Sequence, residues 1–424
     1  MKALLSAKLT KAEKYWILYD VGNSAFTLLI STIMPIYFNY LAESAGLSEV
    51  DYLAFWGYAA SVSTLLVAFI GPVAGSFADG KDFKKPVFVT ALAVGCIGCL
   101  ALGLAQQWLV FLVIFVIARV GYSSSLVFYD SMLSDITTPD RMDNISSQGY
   151  AWGYIGSCIP FVLCLLVVLT TGVTGLSMGT AMMVAFIIVA AWWAGCSLPL
   201  LKIYKQKHFV ERQPGAVKAS FVRLGKTLVG LKNERHILLF LVAFFFYIDG
   251  VYTIIDMATA YGSALGLDST GLLLALLVTQ IVAFPCSIIF GRLTKKFKAS
   301  ALITVCIIAY TGIALFAMVM SEQAHFWFLA VCVGMFQGGV QALSRSWFAK
   351  IVPPEKSGEY FGLMDICGKG ASFMGTAIVS AVSQVSGNIS TGVGMIAILF
   401  VVGLILFRVA VKATPGAKEG NPHS

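Results

Sequence analysis

Long apolar stretches separated by short polar ones make up almost the whole chain. A helix that spans a bilayer needs about 20 apolar residues. Twelve stretches of about that length lie at 16–41, 52–78, 86–105, 108–133, 147–171, 177–201, 237–262, 270–291, 300–320, 325–350, 358–384 and 389–411. The pattern predicts an all-α membrane protein with 12 transmembrane helices. Six fall within 1–201 and six within 237–411, joined by the polar linker 202–236 and followed by the tail 412–424.

The composition agrees with this class and excludes others. Hydrophobic residues make up 58% of the chain and charged residues 12%, whereas about a quarter of the residues in a soluble domain are charged. The net charge of +8 comes from Lys and Arg between the apolar stretches, which is typical of residues that set membrane topology, so we expect no nucleic-acid partner. The nine cysteines are scattered among apolar residues without neighbouring histidines, so no metal site or cofactor is predicted.

Lys and Arg also predict the orientation. They occur in the N-terminus, in every second loop, in the linker and in the tail, whereas the other loops carry acidic residues such as Glu43 and Asp268. Because cytoplasmic loops are the ones enriched in Lys and Arg, we expect both termini and the linker to be cytoplasmic, in a bacterial plasma membrane. No signal peptide and no catalytic signature such as GxSxG or HExxH is recognised, so an enzyme is not expected.

An internal repeat predicts that the two halves are related. The sequence GSFADGKDFKK from Gly75 has a counterpart in GRLTKKFK from Gly291, at an offset of 216. Further along, YDSMLSDITTP from Tyr129 aligns with SRSWFAKIVPP from Ser344, at an offset of 215. Nearly equal offsets in two separate segments indicate two pseudo-symmetric six-helix bundles.

The loop from Gly75 to Lys85 resembles the signature loop of the major facilitator superfamily, G-x-L-a-D-r-x-G-r-[RK]. The resemblance implies the fold of that superfamily, with two six-helix bundles related by an axis along the membrane normal. It also implies that Gly75, Asp79, Lys84 and Lys85 form a cytoplasmic latch that breaks when the cytoplasmic side opens. A basic loop that only sets topology is the alternative.

Other segments narrow the resemblance. They are Tyr19–Phe26, Phe128–Asp130, Ile145–Tyr154, Phe246–Ile254 and Gly338–Ser346. Together they resemble the branch of the superfamily that contains the fungal vacuolar amino-acid effluxers linked to autophagy, and their bacterial relatives. The resemblance implies a secondary transporter that moves a small polar organic solute by alternating access, with amino acids among the candidate substrates.

Ionisable residues within the spans mark the predicted site. A charge inside a bilayer is energetically costly, so the few that occur there usually serve a function. Arg119 is the predicted partner of a substrate carboxylate, and Asp249 or Asp256 that of an ammonium group. The two aspartates are seven residues apart and share one helix face. We predict that they couple transport to protons, with Asp249 as the main carrier. Other predicted cavity residues are Asn23, Thr27, Gln148, Trp152, Gln280, Gln337, Gln341 and Lys369.

Some of these residues have a structural alternative. Asp130 and Arg345 occupy equivalent positions of the repeat near the cytoplasmic ends, where a gate pair is expected. Asp365 and Lys369 have the spacing of an ion pair within one helix. Tryptophans also populate membrane interfaces without binding any ligand; this applies to Trp152, and belt positions are predicted for Trp192, Trp193 and Trp327.

Two other functions remain open. An exporter of amphipathic compounds or a lipid flippase would have a larger apolar cavity. A sensor that keeps the fold without moving a solute would tolerate loss of Arg119. For the main hypothesis we expect a small-molecule substrate, H+ as the coupling ion, the lipid bilayer as surroundings and a monomeric protein.

Overall fold

The computed structural model describes residues 9–211 and 216–415 and is helical nearly throughout. The helices before the linker are α1 Lys11–Ser31, α2 Ile33–Ser44, α3 Glu49–Ala78, α4 Lys84–Leu102, α5 Trp108–Ser131, α6 Leu133–Ile136, α7 Met142–Leu169, α8 Thr171–Thr174 and α9 Met178–Ile203. The linker contains α10 Ala216–Gly230, and after it come α11 Arg235–Ala264, α12 Ser269–Leu293, α13 Ala299–Ala317, α14 Gln323–Ile351, α15 Ser357–Ser386 and α16 Ile389–Ala413.

The transmembrane helices match the predicted number. Within 9–211 and 216–415, 11 spans are long and apolar enough to cross a membrane, with α1 and α2 forming one of them. The twelfth helix is α15, which has 30 residues and a shorter apolar section at Met374–Ser386. The protein therefore has the predicted all-α membrane fold of 12 transmembrane helices.

The first span is broken, which the apolar pattern alone did not predict. Helix α1 ends at Ser31 and α2 begins at Ile33. Pro35 lies in the first turn of α2. A proline has no backbone N–H and its ring clashes with the carbonyl four residues earlier, here Ser31, so the helix cannot continue through this point.

Helices of the two halves pack together through α3 with α15 and through α7 with α12 and α14. The α3–α15 crossing is backbone on backbone, because a Cβ atom on Gly75 would lie 2.1 Å from the carbonyl oxygen of Gly358. Small residues allow this close approach of membrane helices. The crossing lies where α3 ends and α15 begins, and we call this side of the protein, which includes Ala78, Lys84 and Ser357, the linker end.

The described parts of the linker, 202–211 and 216–236, pack around this end. Its first part runs against the loop after α3, where the Val210 N–H donates to the Asp79 carbonyl at 2.8 Å and the Lys81 N–H donates to the Val210 carbonyl at 3.1 Å. Its second part forms α10, which packs on α3. This helix was not predicted.

Candidate functional site

Asp79 joins the two halves by capping a helix of the opposite half. Its Oδ1 accepts a hydrogen bond from the Gly358 N–H at 2.8 Å, and its Oδ2 accepts one from the Glu359 N–H at 2.9 Å. These amides belong to the first turn of α15, whose own N-cap residue, Lys356, provides no capping side chain. A carboxylate is favoured here because the first N–H groups of a helix lack partners and carry partial positive charge.

Lys84 completes this contact from a fully buried position. Its Nζ lies 3.6 Å from Asp79 and 3.8 Å from Asp135, with 0% of each of the three side chains exposed, and it donates to the Ser357 hydroxyl at 2.8 Å. Burial raises the pKa of Asp79 to about 6, although Lys84 and the two backbone N–H groups oppose the shift. Lys85 is half-exposed, and none of the ion pairs described involves it. Of the two lysines predicted for the latch, Lys84 is therefore the one that pairs with Asp79.

Asp135 extends the cluster to the linker. Burial favours its neutral form, but hydrogen bonds from His208, with help from Lys84 and Tyr204, outweigh it and hold its pKa below the usual value. The Tyr204 hydroxyl donates to it at 2.6 Å, and His208 Nδ1 lies 3.0 Å from it. No local sequence pattern marks this contact, because its two sides are separated by about 70 residues.

Arg345 forms a second junction between the halves. From α14 it donates to Asp130 of α5 at 2.9 Å and lies 3.4 Å from Asp20 of α1. It also donates to the side chain and carbonyl of Ser146 in α7 at 2.8 and 2.9 Å. The structure thus places Asp130 and Arg345, which are 215 residues apart, in direct contact.

Aromatic rings enclose this guanidinium. Its Cζ lies 4.3 Å from the centre of the Tyr150 ring and 4.7 Å from that of Trp16, and only 3% of Arg345 is exposed. Such cation–π contacts are strongest where the cation is desolvated. Two carboxylates, a serine and two rings therefore hold a buried cation at the linker end.

The surface between the halves becomes accessible further from the linker end. Along one face of α1, Asp20 is buried, Ser24 is half-buried, and Thr27 and Ser31 are exposed. The same gradient occurs on α11, where Asp249 is buried and Asp256 is exposed. These polar faces indicate a cleft that is closed at the linker end and opens toward the opposite side.

Arg119 and Asp256 carry opposite charges on the two halves of this cleft. Arg119 is half-buried on α5 and Asp256 is exposed on α11, and the two charges interact across the halves. The guanidinium also lies 5.8 Å from the Phe115 ring. Close by on α5, the Tyr122 hydroxyl is hydrogen-bonded to Thr27. The structure therefore places Arg119 within electrostatic range of Asp256 and links Thr27 to Tyr122 on the same helix as Arg119.

Asp249 lies elsewhere than expected. It is 0% exposed, and its Oδ1 accepts hydrogen bonds from the Gly375 N–H of α15 at 2.9 Å and from the Thr253 hydroxyl at 3.2 Å. Its Oδ2 has no hydrogen-bond partner in the part of the chain that the structure describes. Asp249 shares a helix face with Asp256 but lies two turns closer to the closed end, so in this conformation it does not face the cleft.

The other predicted site residues are divided. Gln148, Gln280 and Gln341 are half-buried, and Gln337 is buried in α14. The Asn23 side chain is buried and donates to the Tyr19 carbonyl and to Asp20 at 3.2 Å each, so it orients Asp20 and does not face the cleft. Lys369 belongs to α15, but its side chain lies outside the part described, so its pairing with Asp365 stays a prediction.

The structure places two of the predicted tryptophans. Trp152 is 44% exposed and packs against Phe284 of α12. It lies on the same stripe of α7 as the exposed Ile159 and Leu163, so its predicted place in the cavity stays a prediction. Trp193 is fully buried and stacks on Phe26 with 5.4 Å between ring centres. Its assignment to the interfacial belt is therefore wrong.

Comparison with known proteins agrees with this geometry. The family model described as "Vacuole effluxer Atg22 like" matches residues 10–142 and 134–421. The chain is 39% identical over 412 residues to the uncharacterized MFS-type transporter YxiO of Bacillus subtilis, and the match covers 96% of each protein. It is 26% identical to autophagy-related protein 22-1 of Aspergillus niger, over 62% of this chain and 46% of the fungal protein.

Solved structures support the fold. The crystal structure of the major facilitator transporter FucP in the outward conformation matches with a TM-score of 0.70 and 16% identity, covering 94% of this chain and 97% of that one. At this identity the likeness concerns the arrangement of helices only.

Proposed function

The chain belongs to the Atg22-like family of major facilitator transporters, and from this premise we propose that it moves a small zwitterionic solute, such as an amino acid, by proton-coupled alternating access. The proposal is carried by two opposite charges, Arg119 of the first half and Asp256 of the second, which are close enough to interact electrostatically. The two halves supply opposite charges that are accessible from one side. A free amino acid carries the complementary pair, a carboxylate for Arg119 and an ammonium group for Asp256.

The substrate would bind between these two charges and connect the halves. Arg119 belongs to the first half and Asp256 to the second, so a solute that binds both draws the halves together above the cleft. Binding then favours closure of the open side, because the solute has a higher affinity for the conformation in which both of its charges are bound.

Asp249 is the proposed proton site. Its carboxyl is fully buried, and no described ion pair neutralises it. An unpaired charge is costly in such surroundings, so the carboxyl binds a proton while α11 and α15 enclose it. It releases the proton when their movement exposes it to the other side. Gly375 makes this enclosure possible, because a Cβ atom there would lie 2.5 Å from Asp249 Oδ1.

The basic residues at the linker end support a cytoplasmic location for that end. With this orientation the described conformation is open to the outside. Asp79, Lys84, Asp130 and Arg345 then form the cytoplasmic gate.

The substrate can be found by thermal shift, because a ligand that binds only the folded protein raises its unfolding temperature. Purified protein would be screened against amino acids, peptides, nucleosides and sugars. Stabilisation by amino acids in the wild type and not in Arg119→Gln is expected. Stabilisation only by amphipathic compounds would favour the exporter, and unaltered amino-acid binding by Arg119→Gln would contradict the assigned site.

Proton coupling is tested in proteoliposomes with an imposed pH gradient. The wild type should accumulate the solute found by the screen, whereas Asp249→Asn should exchange it without accumulating it. Asp268→Asn is the matched control, because Asp268 caps α12 outside the cleft and asparagine also caps helices. Accumulation by Asp249→Asn that follows the pH gradient as in the wild type would remove Asp249 from this role.

A further inference from the structure

Linker helix α10 has two unlike faces. One face is turned toward the protein and includes Ser220 and Thr227, both buried, followed by the buried Leu231 just after the helix. Their spacing of seven and four residues places them on one side of the helix. The side packed against α3 is therefore partly polar. A surface helix usually turns its apolar side to the protein, so α10 has the opposite arrangement.

The opposite face is apolar and exposed. Phe221, Val222, Leu228 and Val229 are between 48% and 73% exposed. At 3.6 residues per turn these positions form one continuous stripe. Lys226, also exposed, lies at the border of the stripe. Four large apolar side chains on one exposed stripe indicate contact with something other than water.

The position of α10 shows what that contact is. The Ser76 hydroxyl donates to the Ser220 carbonyl at 3.2 Å, and Ser76 is two residues from the end of the α3 span at Ala78. At 1.5 Å per residue this is about 3 Å from the end of the span. One to two turns earlier, α3 exposes Phe69 and Ile70. The stripe thus lies at the level where the hydrocarbon of the bilayer meets its headgroups.

Arg223 fixes the helix at this level. Its Nε donates to the Ser76 hydroxyl at 3.1 Å and lies 3.4 Å from the Glu359 carboxylate. Ser76 belongs to the first half and Glu359 to the second. The helix is therefore fastened to both halves at their junction and cannot turn its apolar stripe inward without breaking these contacts.

We infer that α10 docks on the surface of the surrounding bilayer, with its apolar stripe between the lipid chains and Lys226 on anionic headgroups. Interfacial helices combine an apolar face with Lys or Arg in this way. A protein partner fits the stripe less well, because four side chains are far fewer than the roughly 20–30 residues per side of a stable interface.

Photocrosslinking tests this docking in the full-length protein. Benzoylphenylalanine is placed at Val229, with one copy of the protein in each nanodisc of equal parts phosphatidylglycerol and phosphatidylcholine. Glu211 is the control position, because it lies in the same linker and 76% of its side chain is exposed. At least about tenfold more lipid adduct is expected at Val229 than at Glu211, since only the apolar stripe enters the bilayer. Equal lipid adduct at the two positions would overturn the docking.

Headgroup preference and the competing occupant are tested separately. Adducts at Val229 should be enriched in phosphatidylglycerol, and Lys226→Gln should remove the enrichment without lowering the total yield. Equal use of both lipids by the unaltered helix would overturn the role of Lys226. In vesicles that hold many copies, protein–protein adducts in place of lipid adducts would show that the stripe binds a second copy of the chain and would refute lipid docking.

Discussion

Two arginines interact with carboxylates of the opposite half, and their surroundings differ. Arg345 is enclosed by Asp20, Asp130, Ser146 and aromatic rings. Arg119 is half-buried in an open cleft and interacts with the exposed Asp256. Opposite charges attract more strongly where water is excluded. The ion pairs of Arg345 therefore hold the halves together, whereas Arg119 interacts with its carboxylate more weakly and is the arginine that we propose to bind the solute.

Removing the buried arginine should have the largest effect. In Arg345→Ala, Asp20 and Asp130 lose their cation inside the protein, and breaking a buried pair costs about 3–5 kcal/mol. Transport should be lost and thermal unfolding should occur at a clearly lower temperature. Arg345→Lys keeps the charge but cannot reach all of the partners at once, so its unfolding temperature should be intermediate. An Arg345→Ala protein as stable as the wild type would contradict the comparison.

A methyl group at the helix crossing should open the linker end. In Gly75→Ala the new Cβ atom meets the Gly358 carbonyl at 2.1 Å, so α3 and α15 must separate. Spin labels on the two helices near the linker end should show a longer distance and a smaller closed population. Gly57→Ala on the same helix is the control, because an added Cβ there meets nothing within 4 Å beyond its own stretch of helix. Equal distances in both variants would show that the crossing does not hold the closed state.

Arg119→Gln should separate transport from stability. Because the side chain is half-buried and its partner is exposed, the free energy of unfolding should change by about 1 kcal/mol or less. Uptake at low substrate concentration should nevertheless fall about tenfold or more, since a charged hydrogen bond to the solute is lost. Stability and uptake are measured on the same protein. A large loss of stability with unchanged uptake in Arg119→Gln would reverse the roles assigned to the two arginines.

His208 should give the smallest effect, and a pH-dependent one. Its hydrogen bond to Asp135 raises the pKa of His208 above its usual value. The stabilisation is therefore fully present below about pH 6.5, the unfolded value, and is lost as pH rises through the higher folded value. Because 37% of the side chain is exposed, the loss should be about 0.5 kcal/mol or less. Between pH 5.5 and 8.5 the stability of the wild type, measured by unfolding, should fall more steeply with rising pH than that of His208→Asn, in which the titration of Asp79 remains.

The sequence was informative where the signal was long or repeated. Apolar length predicted the spans, and the repeat offset predicted that Asp130 and Arg345 occupy equivalent positions, which the structure places in contact. The break after α1 could have been predicted from Pro35, but the apolar pattern runs through this position without interruption. The burial of Asp249 could not be predicted from the sequence. Its seven-residue spacing from Asp256 predicts a common helix face, but not the level along the helix at which the cleft closes. The contact between Asp135 and His208 depends on how the linker folds back.

Helix α15 is capped by a residue of the other half, and this has a consequence when the halves move apart. Lys356 provides no capping side chain, and the amides of Gly358 and Glu359 bond to Asp79 of the other half. When the halves part at this end, water or a different group must take over those amides, or the first turn unwinds. Separation of the halves at this end would therefore leave the first turn of α15 either to be capped anew or to unfold locally.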